Sequence, residues 1–219
     1  MPDARVGALA ALVADITEEA RRAPFDRCVE TYAAAARDVD LPILCKGSLD
    51  APYCALGREL GRDEVLLGEP LIGMGGRRFR RAFHDAILTA AAKDERRFEA
   101  IFERVLLTNL VPYRPVDNKA YDRATLARFR PFTERLLGDL WTGHTILALG
   151  ETSLRWLAPY AADGAVDALW GDPARRFVDT VPATIRGRAV TIAPVPHPSP
   201  LSPFKHEFGT ILRRRVSGG

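Results

Sequence analysis

Apolar positions recur along this chain with two periods, and their alternation predicts its elements. Over residues 5–22, Leu9, Leu12, Val13 and Ile16 fall on one helical face, and 26–38 reads as a second, alanine-rich helix. Pro52-Tyr53-Cys54-Ala55-Leu56, closed by Gly57, is a short apolar run that suits a buried strand, and a glycine-rich stretch from Gly57 to Gly76 follows it. Helical spacing returns with Phe79, Phe83, Ala86, Ile87 and Ala90, while Arg77, Arg78, Arg80 and Arg81 take the other faces. Val105 to Leu110 predicts the next strand. Leu126, Phe129, Leu136, Leu137 and Leu140 predict a helix over 122–140, bent or restarted at Pro131. Thr145 to Gly150 is a third strand, turning into a helix that carries Leu154, Trp156 and Leu157. Residues 177–185 and 188–195 read as strands joined at Arg186-Gly187, and a closing helix holds Phe208, Ile211 and Leu212 before Arg213-Arg214-Arg215.

Short buried strands alternating with amphipathic helices predict an α/β sandwich around a largely parallel sheet. Chemistry in such folds gathers where strands end, and here strands run out into loops beginning at Gly57, Asn109 and His197. The 219 residues suffice for one domain that buries about 70% of its unfolded surface. No apolar run reaches a membrane span, and the acidic, amphipathic N-terminus (Asp3, Asp15, Glu18, Glu19) does not resemble a signal peptide, so a cytoplasmic protein without membrane attachment is expected. Net charge is +3, yet the 31 basic residues divide into 27 Arg and 4 Lys. A GC-rich genome explains that bias; guanidiniums facing phosphate are the sharper reading. Cys28, Cys45 and Cys54 lack metal-type spacing, and buried thiols are expected.

Three segments, each after a predicted strand, carry a resemblance. Gly57-Arg58-Glu59-Leu60-Gly61 through Pro70-Leu71-Ile72-Gly73-Met74-Gly75-Gly76 is similar to the G-E-A-P-G … G-x-P-F-V-G-x-A-G motif of the iron–sulfur branch of the uracil-DNA glycosylase superfamily. Thr108-Asn109-Leu110-Val111-Pro112-Tyr113-Arg114-Pro115 resembles its T-N-V-V-K-C-R-P, and His197-Pro198-Ser199-Pro200-Leu201-Ser202 matches the superfamily's H-P-S-P-L-S. The resemblance covers residues 52–204. It implies a three-layer α/β/α sandwich around a short, mainly parallel central sheet, with 1–219 a single domain and 1–50 a helical extension packed on it. The implied activity is excision of uracil from DNA by base flipping and hydrolysis of the N-glycosidic bond, with uracil-containing DNA as partner and a monomer as the default state.

The resemblance also assigns roles. Asn109 reads the base, since a carboxamide suits the N3–H and O4 of uracil and misfits cytosine. His197 donates to O2, where charge grows as the bond breaks. Gly57, Arg58 and Leu71 line the base pocket. Ser199, Pro200, Leu201 and Arg114 meet DNA, with Leu201 as the wedge that fills the flipped base's gap. Three departures stand out. The water-activating carboxylate's position is Arg58, which cannot serve as a base at neutral pH, so either Glu59, Asp63 or Glu64 is recruited or no carboxylate is used. Leu71 replaces a stacking phenylalanine, with Tyr53 or Phe79 as substitutes that read more readily as core. Tyr113 stands where the branch has a cluster cysteine, and three thiols cannot supply four ligands, so no iron–sulfur cluster, metal or other cofactor is expected. Alternatives are a glycosylase for hypoxanthine or another deaminated base, a non-catalytic damaged-DNA binder of the same fold, and an unrelated protein using Gly57–Gly61 as an anion nest.

Overall fold

A computed structural model describes residues 2–87 and 95–216. Six strands form one sheet: β1 (Cys45–Lys46), β2 (Tyr53–Gly57), β3 (Val105–Asn109), β4 (Thr145–Leu149), β5 (Val181–Ile185) and β6 (Arg188–Val195), in the order β1-β3-β2-β4-β6-β5. The four inner strands are parallel, and the edges β1 and β5 run antiparallel to their neighbours. β2 and β3 are buried along their whole length, as expected for strands covered on both faces, whereas edge strand β5 alternates buried and exposed.

Alternate residues of each inner strand feed two apolar layers. On one face, Cys54, Leu56, Leu106, Ile146 and Ala148 pack with helices α1 (Pro2–Arg22), α2 (Val29–Ala34), α3 (Arg62–Leu67), α5 (Arg123–Arg135), α6 (Glu151–Trp156) and α7 (Ala165–Gly171). On the other, Tyr53, Ala55, Leu107, Leu147 and Val195 pack with α4 (Met74–Ile87) and α8 (Phe208–Val216). The three-layer α/β/α sandwich is therefore present. α1 presses Leu12, Ile16 and Ala20 into the first layer, and Arg128 and Arg135 of α5 bind its Glu19 and Asp15. Among the described residues no helix is long and apolar enough to cross a membrane.

Several elements differ from the sequence expectation. The alanine-rich helix is confined to six residues, ending where Ala36 turns left-handed and Asp38 and Asp40 are drawn to Arg21 and Arg27. The helix expected to bend or restart at Pro131 continues through it to Arg135 without a restart and widens into a π turn over Leu136–Leu140. Residues 177–180 are turn and irregular chain rather than strand, and the Phe177 ring packs edge-on against Phe204. α3, α7 and β1 were not foreseen, and the expected helical position Ala90 lies outside the described residues. Tyr53 and Phe79 are core.

Candidate active site

The chain leaves β2 toward β3 on one side and β4 toward β6 on the other, so a crevice opens between the carboxyl ends of β2 and β4. Register brings the ends together: Gly57 pairs with Asn109, and Leu149 with Val195, two residues before His197. The resulting open cleft has a volume of about 630 Å³. Gly57, Arg58, Glu59, Asp63, Glu64 and Leu71 line one side; Asn109, His197, Ser199, Pro200 and Leu201 line the rest. The three separate motifs thus converge on one cavity.

Asn109 is 2% exposed at the end of β3. Its Nδ2 donates to the Glu59 carbonyl at 3.1 Å, which fixes which way the amide points, and its Oδ1 is buried with no partner among the described residues. Gly57 makes room for it: a Cβ there would lie 2.7 Å from Nδ2 and 3.2 Å from Leu71 Cδ2.

His197 follows β6 and lies against Gly150. The Ser199 backbone N–H donates to its Nδ1 at 3.2 Å, which leaves Nε2 to carry the proton of a neutral ring. Burial, then the positive charge of Arg58, lowers its pKa from the usual imidazole value. His197 is exposed at the cleft it lines.

The three carboxylates separate by environment. Glu64 is spent on structure: its Oε1 accepts the Gly73 N–H at 2.8 Å, tying down the loop between α3 and α4. Asp63 pairs with Arg77 at 3.2 Å on the surface. The Glu59 side chain is 8% exposed and sits 2.5 Å from Arg58 Nη2. Burial raises its pKa above the ordinary carboxylate value, with Arg58 opposing that shift. Arg58 Nε is buried without a partner among the described residues.

Leu201 is 92% exposed at the lip, and its N–H is held by Ser199 Oγ at 3.1 Å. Arg114, expected to meet DNA, does not line the cleft; it is buried and its Nη1 donates to Oδ1 of the lining residue Asn118 at 3.2 Å. Among the lining residues to which the sequence reading gave no role are Asn118 and Met74. Asn118 follows Asp117, both at left-handed φ near +55°, and Asp-Asn is a pair that tolerates that conformation. Met74 is exposed at the start of α4.

The residues present do not fit a four-thiolate cluster. Tyr113 sits at the matching position with its ring 5.3 Å from Phe25 and 5.5 Å from Phe129, and its hydroxyl donates to the Asp40 carbonyl at 2.7 Å. Cys28 is tied to this segment through the Arg114 carbonyl, whereas Cys45 lies in β1 and Cys54 is buried in β2, where burial pushes its thiol pKa up.

The strand ends of a central, mainly parallel sheet thus gather an amide, an imidazole and a buried carboxylate around one open cleft. The model of the uracil DNA glycosylase superfamily matches residues 46–214, and the chain belongs to that superfamily, a group of DNA repair glycosylases that hydrolyse N-glycosidic bonds in DNA. No curated protein matches it.

Proposed function

We propose that the protein is a monofunctional glycosylase that extrudes uracil from DNA and hydrolyses its N-glycosidic bond, leaving an abasic site. The half-used amide of Asn109 carries this reading. One N–H is spent on the Glu59 carbonyl, so Oδ1 and the second N–H remain for a ligand. Uracil offers N3–H to that oxygen and O4 to that N–H, whereas cytosine sets a lone pair against Oδ1 and an amino group against Nδ2.

As C1′–N1 breaks, its electron pair passes to the base and negative charge grows at O2. The Nε2–H of a neutral His197 and the Arg58 guanidinium stabilise that charge. Water adds to C1′, and Glu59 takes its proton. The support for Glu59 over Asp63 and Glu64 is that its side chain is buried in the cleft with its pKa raised and is paired only with the cleft residue Arg58, whereas Glu64 accepts the Gly73 N–H of the loop and Asp63 pairs with Arg77 at the surface. Leu71 gives the base an apolar face without aromatic stacking, so free uracil is held weakly. The protein acts as a monomer and without an iron–sulfur cluster; analysis of purified protein is expected to find neither iron nor sulfide, and stoichiometric iron overturns that part.

Hypoxanthine is the second reading, because its N1–H and O6 present the same donor and acceptor to Asn109, and Leu71 is less bulky than the phenylalanine it replaces. The test is single-turnover incubation with uracil- and hypoxanthine-bearing oligonucleotides, then alkali. Faster cleavage at uracil by wild type, absent in His197→Ala, supports the first reading; faster cleavage at hypoxanthine supports the second. Binding without cleavage at high protein concentration overturns both in favour of a damage sensor.

A further inference from the structure

A nearly buried arginine holds the loop that brings Leu71 to the cleft. Arg80 of α4 turns its guanidinium back toward this loop. Nε donates to the Leu71 carbonyl at 2.8 Å and Nη2 to the Pro70 carbonyl at 2.9 Å, while both Nη atoms lie 3.2 Å from Glu69. Glu69 is anchored to Lys46 of β1 at 3.0 Å, and the guanidinium lies over the Phe102 ring, 5.1 Å from its centre. A planar fork reaches two consecutive carbonyls and a carboxylate from separate, rigidly spaced nitrogens; a lysine brings its three donors on one nitrogen and cannot match that spacing.

The backbone it holds is unusual. Leu71 has φ +52, a region that a leucine rarely adopts. The chain uses glycine freely nearby, at 68, 73, 75 and 76, so a residue without strain was available to this loop. What glycine lacks is a side chain, and Leu71 directs its own into the cleft beside Gly57 and Asn109. The loop is pressed so firmly onto α4 that a Cβ at Gly76 would collide with the Leu71 carbonyl. Strain at one residue, with a buried clamp on that residue's own carbonyl, points to work done by its side chain.

We propose that Arg80 is a positioning residue that holds Leu71 left-handed, so that the leucine forms the apolar floor on which the extruded base lies. The fork thereby sets the affinity of the cleft for the base without touching it. This rests on the glycosylase reading, and the experiment separates the two.

Wild type, Arg80→Lys, Leu71→Gly and the double variant are assayed on whichever oligonucleotide wild type cleaves, with the free base as inhibitor and a thermal melt alongside. Arg80→Lys is expected to fold, to weaken inhibition by free base about tenfold, and to slow single-turnover excision by a similar factor. Leu71→Gly is expected to do the same, and the double variant to be no worse than Leu71→Gly alone, because both remove one floor. Normal inhibition and rate in Arg80→Lys beside an impaired Leu71→Gly, or losses that add in the double variant, overturn the positioning role and leave the glycosylase reading standing. A wild type that cleaves neither oligonucleotide overturns the glycosylase reading and the role of Arg80 with it. If Arg80→Lys does not fold, Glu69→Gln reports instead: about threefold weaker inhibition at an unchanged pH profile supports the clamp, and unchanged inhibition overturns it.

Discussion

Glu59 and Asn109 show how much a single side chain's surroundings decide. Burial disfavours the charged form of Glu59 by more than Arg58 favours it, so its folded pKa lies above its unfolded one. Stability from this group is therefore present at acid pH and is lost as pH rises through the folded value. Glu59→Gln is expected to raise the thermal midpoint at pH 8 by a few degrees, of order 1 kcal/mol, and by less at pH 5. The same change is expected to slow excision about a hundredfold and to remove the rise of rate with pH that tracks Glu59 ionisation. Melts at the two pH values and a single-turnover pH profile check both halves; a less stable variant with full activity would sink the assignment. Asn109→Asp replaces the donor facing O4 with a second acceptor. Loss of about 2–3 kcal/mol of preference for uracil is expected in competition assays, and unchanged selectivity counts against the amide's role.

At the scale of elements, β2, β3 and β4 were legible because each is a short, mainly apolar run that stops at a polar or glycine residue. That punctuation also marked Asn109 and His197, since both stand where a strand runs out. α3 was hidden because Gly61 and Gly68 read as loop, although they are the cap residues of a helix that carries Asp63 and Glu64 in its first turn. Which carboxylate is tied to the loop backbone was not legible, because it depends on where the Gly73 N–H falls after folding. Arg80 looked like any charge on the polar side of an amphipathic helix. Arg215 was likewise read with its neighbours as a terminal basic run. Instead its guanidinium donates to the carbonyls of Pro194, Val178 and Asp179, closing α8 onto the end of the sheet, and burial lowers its pKa to about 10. Arg215→Ala leaves three carbonyls without that donor, and a loss of about 2 kcal/mol is expected in urea unfolding, with excision at 25 °C unchanged. The paired Arg213→Ala and Arg214→Ala changes, both at exposed positions, are expected to cost less than about 0.5 kcal/mol.

On the proposed reading the molecule meets DNA at the cleft, and its charge alone says little about how. With net charge +3, attraction to DNA is general and falls with salt, so recognition of a base inside a duplex must come from shape at the lip. Leu201 stands there 92% exposed, placed where it would be covered if DNA lies across the cleft. The Ser199 hydroxyl holds its backbone, and Phe204, three residues on, is locked edge-on against Phe177, so the apolar tip is carried on a braced turn. Extruding a paired base costs a few kcal/mol of stacking and pairing, whereas a single strand asks little of the enzyme. A wedge acts only on the first of these. Leu201→Ala is therefore expected to slow excision from duplex DNA about tenfold or more and from single-stranded DNA by less than about twofold, with thermal stability unchanged because nothing in the free protein packs on the tip. Equal losses on both substrates would mean that Leu201 contributes to the base pocket instead, and the division of labour between lip and floor would have to be redrawn.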